Sequence, residues 1–87
     1  MSHLLEFYGI ECPHCVKMHD LVLRLEKEEG VKVLALEVWH NKENEQKLIK
    51  LDKNMCGGIP FFYNTKTGNF ICGDGTYEDL KNWALGQ

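Results

Sequence analysis

The sequence predicts an α/β domain of three layers, with helices covering a mixed four-stranded sheet and the element order β-α-β-α-β-β-α. Two observations predict this class. Short apolar or aromatic runs alternate with stretches of helical periodicity in the first half, and two short strands around a turn precede a last helix in the second. A length of 87 residues leaves room for one core only, so residues 1–87 are expected to form a single domain.

The first half of the chain is predicted to alternate strand and helix. Residues 4–8 are apolar and aromatic, which is typical of a strand. Pro13 suits the first position of a helix, and Gly30 suits its end. Residues 31–39 are predicted to form a second strand, parallel to the first through a right-handed crossover, and Asn41 is expected to cap a second helix. The expected buried positions are Cys15, Met18, Val22 and Leu25 on the first helix, and Leu48, Leu51 and Met55 on the second.

The second half is predicted to add a hairpin and a helix. Residues 57–60 contain two glycines and a proline and are expected to break the second helix. A third strand is predicted over residues 60–63, and residues 70–72 should form an antiparallel fourth strand after a polar turn. The Thr-x-x-acid pattern of residues 76–79 indicates the start of a last helix, whose buried side would be Leu80, Trp83 and Ala84.

Composition and charge exclude several function classes. Hydrophobic residues make up 44% and charged residues 26% of the chain, as in ordinary globular domains, which excludes disorder and coiled coil. The 10 Lys and Arg against 13 Asp and Glu leave a net charge of −3, which offers no bulk attraction to nucleic acid or to an anionic membrane. No apolar stretch approaches the ~20 residues of a membrane span, and no secretory signal is visible. We therefore expect a cytoplasmic protein that binds neither nucleic acid nor membrane.

The sequence Cys12-Pro13-His14-Cys15 lies where the first strand passes into the first helix. The free N–H groups of the first helical turn, the helix dipole and a protonated His14 all favour negative charge on Cys12. Cysteines at such sites have pKa values of about 3.5–7.5 rather than ~8.5. Lowering the thiol pKa by ~3 stabilises the reduced pair by ~4 kcal/mol, which makes the disulfide about 90 mV more oxidising. The pattern predicts a redox-active pair in which Cys12 is the nucleophile and Cys15 the inner, resolving thiol.

Three alternative roles for the cysteines stay open. Cys12 and Cys15 could be unrelated helix cysteines, or an iron–sulfur cluster could bridge a dimer. All four cysteines could also hold a structural zinc ion in a non-enzymatic binding module. Zinc is disfavoured because Cys56 and Cys72 are far apart in sequence and do not form a second close pair. Cys56 is expected to be a loop residue rather than a regulatory thiol, and Cys72 a small apolar core residue. No cofactor and no metal are expected.

Residues 6–15 resemble the active-site segment of the thioredoxin superfamily, and the Cys-Pro-His-Cys sequence resembles that of the DsbA-type dithiol oxidants in particular. The segment Gly58-Ile59-Pro60 resembles the cis-proline loop of the family. The order of elements matches over residues 4–85, at the length of small glutaredoxin-like members. The resemblance implies a thioredoxin-like fold and a monomeric thiol–disulfide oxidoreductase. Its expected partners are protein or small-molecule disulfides and dithiols, together with an electron donor or acceptor that the sequence does not identify.

The resemblance also implies a substrate-docking edge. Pro60 is expected to be cis and to face Cys12 across the site. The backbone of Ile59 would pair with an extended substrate segment, as a strand edge does. Cys72 and Gly73 match the strand end and the glycine that follow in the family, and are expected to contribute to substrate binding.

Two acidic residues near the pair have different implications. Glu6 matches a buried acid of the family that moves a proton to or from the inner cysteine, and burial would raise its pKa toward neutrality. The alternative is a solvent-facing glutamate on a strand with one wet side. Glu11 places a negative charge beside Cys12 and opposes part of the lowering of its thiol pKa. Ile10 and Glu11 also stand where glutathione-binding glutaredoxins have a lysine, so specific glutathione use is not expected.

The remaining histidines and tryptophans are assigned to structure. His3, His19 and His40 show no spacing typical of a metal site and are expected on the surface. Trp39 and Trp83 are expected to be packing residues. These expectations leave the catalytic chemistry to Glu6 and to the Cys12–Cys15 segment.

Overall fold

The computed structural model describes residues 3–53 and 55–86, and it contains seven elements in the predicted order. The strands are β1 (Leu4–Tyr8), β2 (Val33–Glu37), β3 (Phe61–Asn64) and β4 (Phe70–Cys72), and the helices are α1 (Pro13–Glu29), α2 (Lys42–Asp52) and α3 (Tyr77–Leu85). The sheet order is β2-β1-β3-β4. β1 pairs with β2 in parallel, and β3 pairs antiparallel with β1 and β4. The predicted mixed α/β class is confirmed.

Two apolar layers lie on opposite faces of the sheet, because successive side chains of a strand point to opposite sides. One layer joins the sheet to α1 and α3 and contains Leu4, Met18, Val22, Leu25, Phe62, Leu80, Trp83 and Ala84. The other joins the sheet to α2 and contains Leu5, Phe7, Val38, Leu48 and Phe61. Within the described residues, no helix has both the length and the apolar character needed to cross a membrane.

The helix boundaries follow from local capping chemistry. α1 ends at Gly30, whose left-handed φ of 66° allows its N–H to bond to the Glu26 carbonyl at 3.0 Å. α3 begins with a complete capping box, in which Thr76 and Asp79 each accept a hydrogen bond from the other's backbone N–H. The predicted buried face of α1 is confirmed at all four positions.

α2 ends before Met55, the last residue of its predicted buried face. It ends at Asp52, followed by Lys53 with a left-handed φ of 50°. The buried Asp52 carboxylate then accepts the N–H groups of Cys56 at 2.7 Å and Gly57 at 2.9 Å, which turns the chain away from the helix. Met55 therefore lies outside α2 and is 52% exposed, so its predicted place in the core is wrong.

β1 and β4 have the predicted bounds, whereas β2 is shorter than predicted and β3 is shifted by one residue. β2 ends at Glu37 because its carboxylate accepts the N–H of His40 at 2.7 Å and closes a turn. β3 begins at Phe61, one residue after Pro60, which has no N–H to donate to a sheet. These differences leave the sheet order unchanged.

Candidate active site

Cys12 and Cys15 form a disulfide at the N-terminus of α1, with their Cα atoms 5.2 Å apart. Cys12 is the N-cap residue, and its Sγ accepts the backbone N–H of Cys15 at 3.2 Å. Both residues are buried, Cys12 at 5% exposure and Cys15 at 2%. A sulfur that accepts a helix N-terminal N–H is placed to carry negative charge when the disulfide is reduced.

His14 lies on the exposed side of the same turn and faces Asp74, with 3.1 Å between Nδ1 and Oδ2. The sequence did not predict this contact, because the two residues are 60 positions apart. Both side chains are well exposed, so the pair adds little stability. The contact instead links the first turn of α1 to the segment that follows β4.

Glu6 is completely buried at the centre of β1, so the buried-acid interpretation is correct as to position. Its two carboxylate oxygens lie 3.1 Å and 3.3 Å from Nδ1 of His19. Burial raises the pKa of Glu6, while the hydrogen bond and charge of His19 act in the opposite direction. Glu6 is thus a buried carboxyl group whose proton is more tightly held than that of a glutamate in water.

His19 is the residue of this site that sequence reasoning missed. Its predicted surface position is correct, since its side chain is 46% exposed, but it also binds Glu6 and stacks on Tyr8 with ring centroids 6.5 Å apart. The available signal was its position four residues after Cys15, which places both on one side of α1. Cys15 and His19 line a groove of about 230 Å³ together with Tyr8, Val16 and other residues.

The predicted docking residues lie next to one another. The Ile59–Pro60 peptide bond is cis. The N–H of Gly73 donates to the Pro60 carbonyl at 2.8 Å, and Cys72 is the register partner of Phe61. The segment that contains Ile59 and Pro60 is therefore held against the end of β4.

Cys56 and Cys72 form a second disulfide, with Cα atoms 5.4 Å apart. Cys72 is exposed, so its predicted place in the apolar core is wrong, and Cys56 is half-buried. The two cysteines are far apart in sequence but close in space, because the pairing of β3 with β4 brings Cys72 next to the loop that follows α2. The described cysteines are thus arranged as two disulfides, whereas the zinc alternative requires free thiolates.

Glu11 faces His40, with Nε2 of the imidazole 2.9 Å from both carboxylate oxygens. This hydrogen bond and the charge of Glu11 raise the pKa of His40. Partial desolvation disfavours the charged form of Glu37, but the N–H groups of Ile10 and His40 donate to its carboxylate and lower its pKa overall. Among the described residues, the group with ligand atoms within 4.8 Å of one another that could hold a metal ion is Glu11, Glu37 and His40. The group fixes the turn before Cys12.

Trp39 lies over the backbone of Gly9, just before the cysteine segment. A Cβ atom at Gly9 would overlap the indole ring, so only glycine allows this approach. Trp39 is nevertheless 51% exposed, and the prediction that it packs is correct for one ring face only. Trp83 is a core residue at 3% exposure.

Comparison with known proteins identifies the fold. No protein-family model and no curated protein sequence matches the chain. A glutaredoxin (grx-1) from Archaeoglobus fulgidus superposes with a TM-score of 0.71 at 20% identity, over 95% of this chain and 86% of that one. A wheat glutaredoxin superposes with a TM-score of 0.61 at 20% identity, over 83% of this chain and 62% of that one. These similarities confirm the thioredoxin-like fold.

Proposed function

We propose that this chain is a thiol–disulfide oxidoreductase, which exchanges the Cys12–Cys15 dithiol or disulfide with disulfides or dithiols of other proteins. The observation that carries the proposal is the Cys12–Cys15 disulfide at the start of α1, with Cys12 Sγ accepting the Cys15 N–H at 3.2 Å. The similarity to two proteins named glutaredoxins supports it at the level of fold.

In the reducing direction, the thiolate of Cys12 attacks one sulfur of a substrate disulfide. The substrate's other sulfur leaves as a thiolate, and a Cys12–substrate mixed disulfide remains. Cys15 then attacks Cys12 Sγ, which releases the second substrate thiolate and leaves the Cys12–Cys15 disulfide. Two electrons pass to the substrate, and the reverse sequence oxidises a dithiol. The disulfide in the structure is the product of the reducing cycle.

The proposed source of reactivity is the stabilised thiolate of Cys12. The N–H groups of the α1 N-terminus act on the sulfur directly, and His14 adds positive charge when it is protonated. The negative charge of Glu11 opposes this effect, but its carboxylate is engaged by His40. Pro13 occupies the first helical position, where its missing N–H removes no helix bond.

We assign proton transfer at Cys15 to Glu6 together with His19. Cys15 must lose its proton before it attacks the mixed disulfide, and a buried carboxyl group with a raised pKa is suited to take it. Glu6 itself has no access to water. His19 contacts Glu6 on one side and is nearly half exposed, so it offers the proton a route to solvent.

Substrate docking is assigned to Ile59 and Pro60, with Cys72 and Gly73 beside them. An extended substrate segment would add to the backbone of Ile59. The hydrogen bond from the Gly73 N–H to the Pro60 carbonyl holds this edge in place. We further propose that the chain works as a monomer, without a resident cofactor, on protein substrates.

The test combines turnover with capture of the intermediate. The wild-type protein should catalyse insulin reduction, and both Cys12→Ser and Cys15→Ser should abolish it. Cys15→Ser should accumulate a mixed disulfide with substrate, while Cys12→Ser should accumulate none. Turnover that survives Cys12→Ser would contradict the proposal. One tightly held zinc ion per chain and no reducible Cys12–Cys15 pair would instead indicate a binding module.

A further inference from the structure

The second disulfide joins the two segments that form the docking edge. Cys56 lies in the loop before Ile59 and Pro60, and Cys72 ends β4 opposite Phe61. The sulfurs therefore cross-link the edge that the proposed function assigns to substrate. None of the chemistry assigned to Cys12 and Cys15 uses this disulfide.

Besides the disulfide, the loop that contains Cys56 is anchored at its two ends, where Cys56 and Ile59 pack against the apolar layer between the sheet and α2. The Asp52 carboxylate accepts two of its backbone N–H groups, those of Cys56 and Gly57. Gly57 and Gly58 are exposed, and a Cβ atom added to either would meet nothing within 4 Å. The two glycines between these anchors are thus loosely surrounded, so the path of the chain from Cys56 to Ile59 depends on the covalent tether as well as on the packing of its ends.

The segment on the other side of the disulfide contacts the first helix. After Cys72, Gly73 binds the Pro60 carbonyl, Asp74 faces His14, and the N–H of Gly75 lies 3.4 Å from Sδ of Met18. The segment that follows Cys72 thus contacts both the docking edge and α1.

We propose that Cys56–Cys72 is a second thiol–disulfide exchange site, and that its oxidation state governs how tightly the docking edge binds substrate. The class of reactant is a dithiol. Its thiolate attacks Sγ of Cys72, the more exposed residue, and Cys56 leaves as a thiolate that takes a proton. The second thiol of the reactant then attacks the mixed disulfide and releases Cys72. Two electrons and two protons enter the protein, and the reactant leaves as a disulfide.

The chemical part of this proposal is tested without any enzyme activity. The Cys12→Ser/Cys15→Ser variant is equilibrated in dithiothreitol buffers of graded potential, and free thiols are counted by mass after alkylation. Two cysteines should become labelled together while the circular dichroism of the folded protein is retained. Reduction only on unfolding, or two free thiols already in oxidising buffer, would overturn the proposal. Wild-type protein should give four labelled cysteines, which guards against a folding defect of the variant.

The conformational part is read from hydrogen exchange on the same samples. Reduction should accelerate exchange at residues 56–59, while the backbone of α3, on the opposite face of the sheet from α2, should be unchanged. Equal exchange in both states would overturn the link between the disulfide and the loop.

The effect on substrate rests on the proposed function, and kinetics separate the two. Cys56→Ser, which breaks the disulfide without altering a residue assigned to docking, should raise the KM for insulin by roughly fivefold or more, with kcat changed less than twofold. An unchanged KM would overturn the docking role, whereas a wild-type protein without turnover would overturn the proposed function and leave the thiol titration standing.

Discussion

The carboxylate of Glu6 and the imidazole of His19 are joined by hydrogen bonds of 3.1 Å and 3.3 Å between the sheet and α1. One partner is fully buried and the other is 46% exposed in its side chain. A carboxylate buried at the centre of a sheet is costly unless it takes up a proton or has a hydrogen-bonding partner. His19 is that partner for Glu6. The relationship accounts for a glutamate in an otherwise apolar strand.

The raised pKa of Glu6 predicts a specific dependence of stability on pH. Between the ordinary glutamate value of about 4.3 and the higher folded-state pKa, the folded protein holds a proton that the unfolded chain has lost. Stability contributed by the protonated group is therefore lost as the pH rises through that interval, by ~1.4 kcal/mol for each pH unit that separates the two pKa values. Glu6→Gln should flatten this part of the profile, as measured by urea unfolding from pH 4 to pH 8. Identical profiles for the two proteins would contradict the assignment.

His19→Ala should slow resolution of the mixed disulfide more than its formation. The substitution removes the exposed partner through which Glu6 reaches solvent. We expect a loss of about 100-fold in the resolving step, at the lower end of the range of general acid–base effects. Rapid-quench analysis of the mixed disulfide measures it, with Lys17→Ala, an exposed change on the same helix, as control. An equal slowing of both steps would indicate a merely structural role.

His14→Pro and His14→Ala should make the Cys12–Cys15 couple more reducing. Both remove the imidazole, which places positive charge near Cys12 when it is protonated, and a rise of about 1 in the thiol pKa corresponds to about 30 mV. Equilibration with glutathione buffers gives the potential. His14→Lys keeps a charge at the same exposed position and should restore part of the difference. A potential that stays unchanged or becomes more oxidising in His14→Pro would refute this role.

Gly9→Ala should destabilise the protein, because its Cβ overlaps the indole of Trp39. We expect a cost of about 1–3 kcal/mol, as for other overpacked contacts. Chemical unfolding of Gly9→Ala, Trp39→Ala and the double variant measures the coupling. The cost of Gly9→Ala should largely disappear once Trp39 is alanine. An undiminished cost would place the strain in the backbone rather than in the ring contact.

The sequence alone predicted the features that depend on residues close to one another in the chain. The strand-to-helix passage at Cys12 follows from an apolar run and a proline, and the burial of Glu6 follows from its place in a central strand. The Cys56–Cys72 bond was missed because it depends on where a loop closes against β4, and spacing does not encode this. Met55 was misplaced because the Asp52 carboxylate accepts the N–H groups of Cys56 and Gly57 and turns the chain away from the helix, a local contact that apolar periodicity does not reveal.

Contacts between exposed residues were the least predictable. His14 and Asp74 meet only because the turn after β4 returns to the start of α1, and both belong to polar segments that could face water in any direction. His19 differs, since its spacing from Cys15 places it on a defined side of α1. Because Glu6 was already predicted to be buried, helical geometry could have predicted the contact between His19 and Glu6.

The pKa of the Cys12 thiol tests the central claim most directly. It is obtained from the rate of alkylation against pH in the fully reduced Cys15→Ser/Cys56→Ser/Cys72→Ser variant, which leaves one thiol. The helix N-terminus and His14 should hold this pKa at about 7 or lower. A titration near 8.5, as for cysteine in an unstructured peptide, would contradict the claim that this fold activates Cys12.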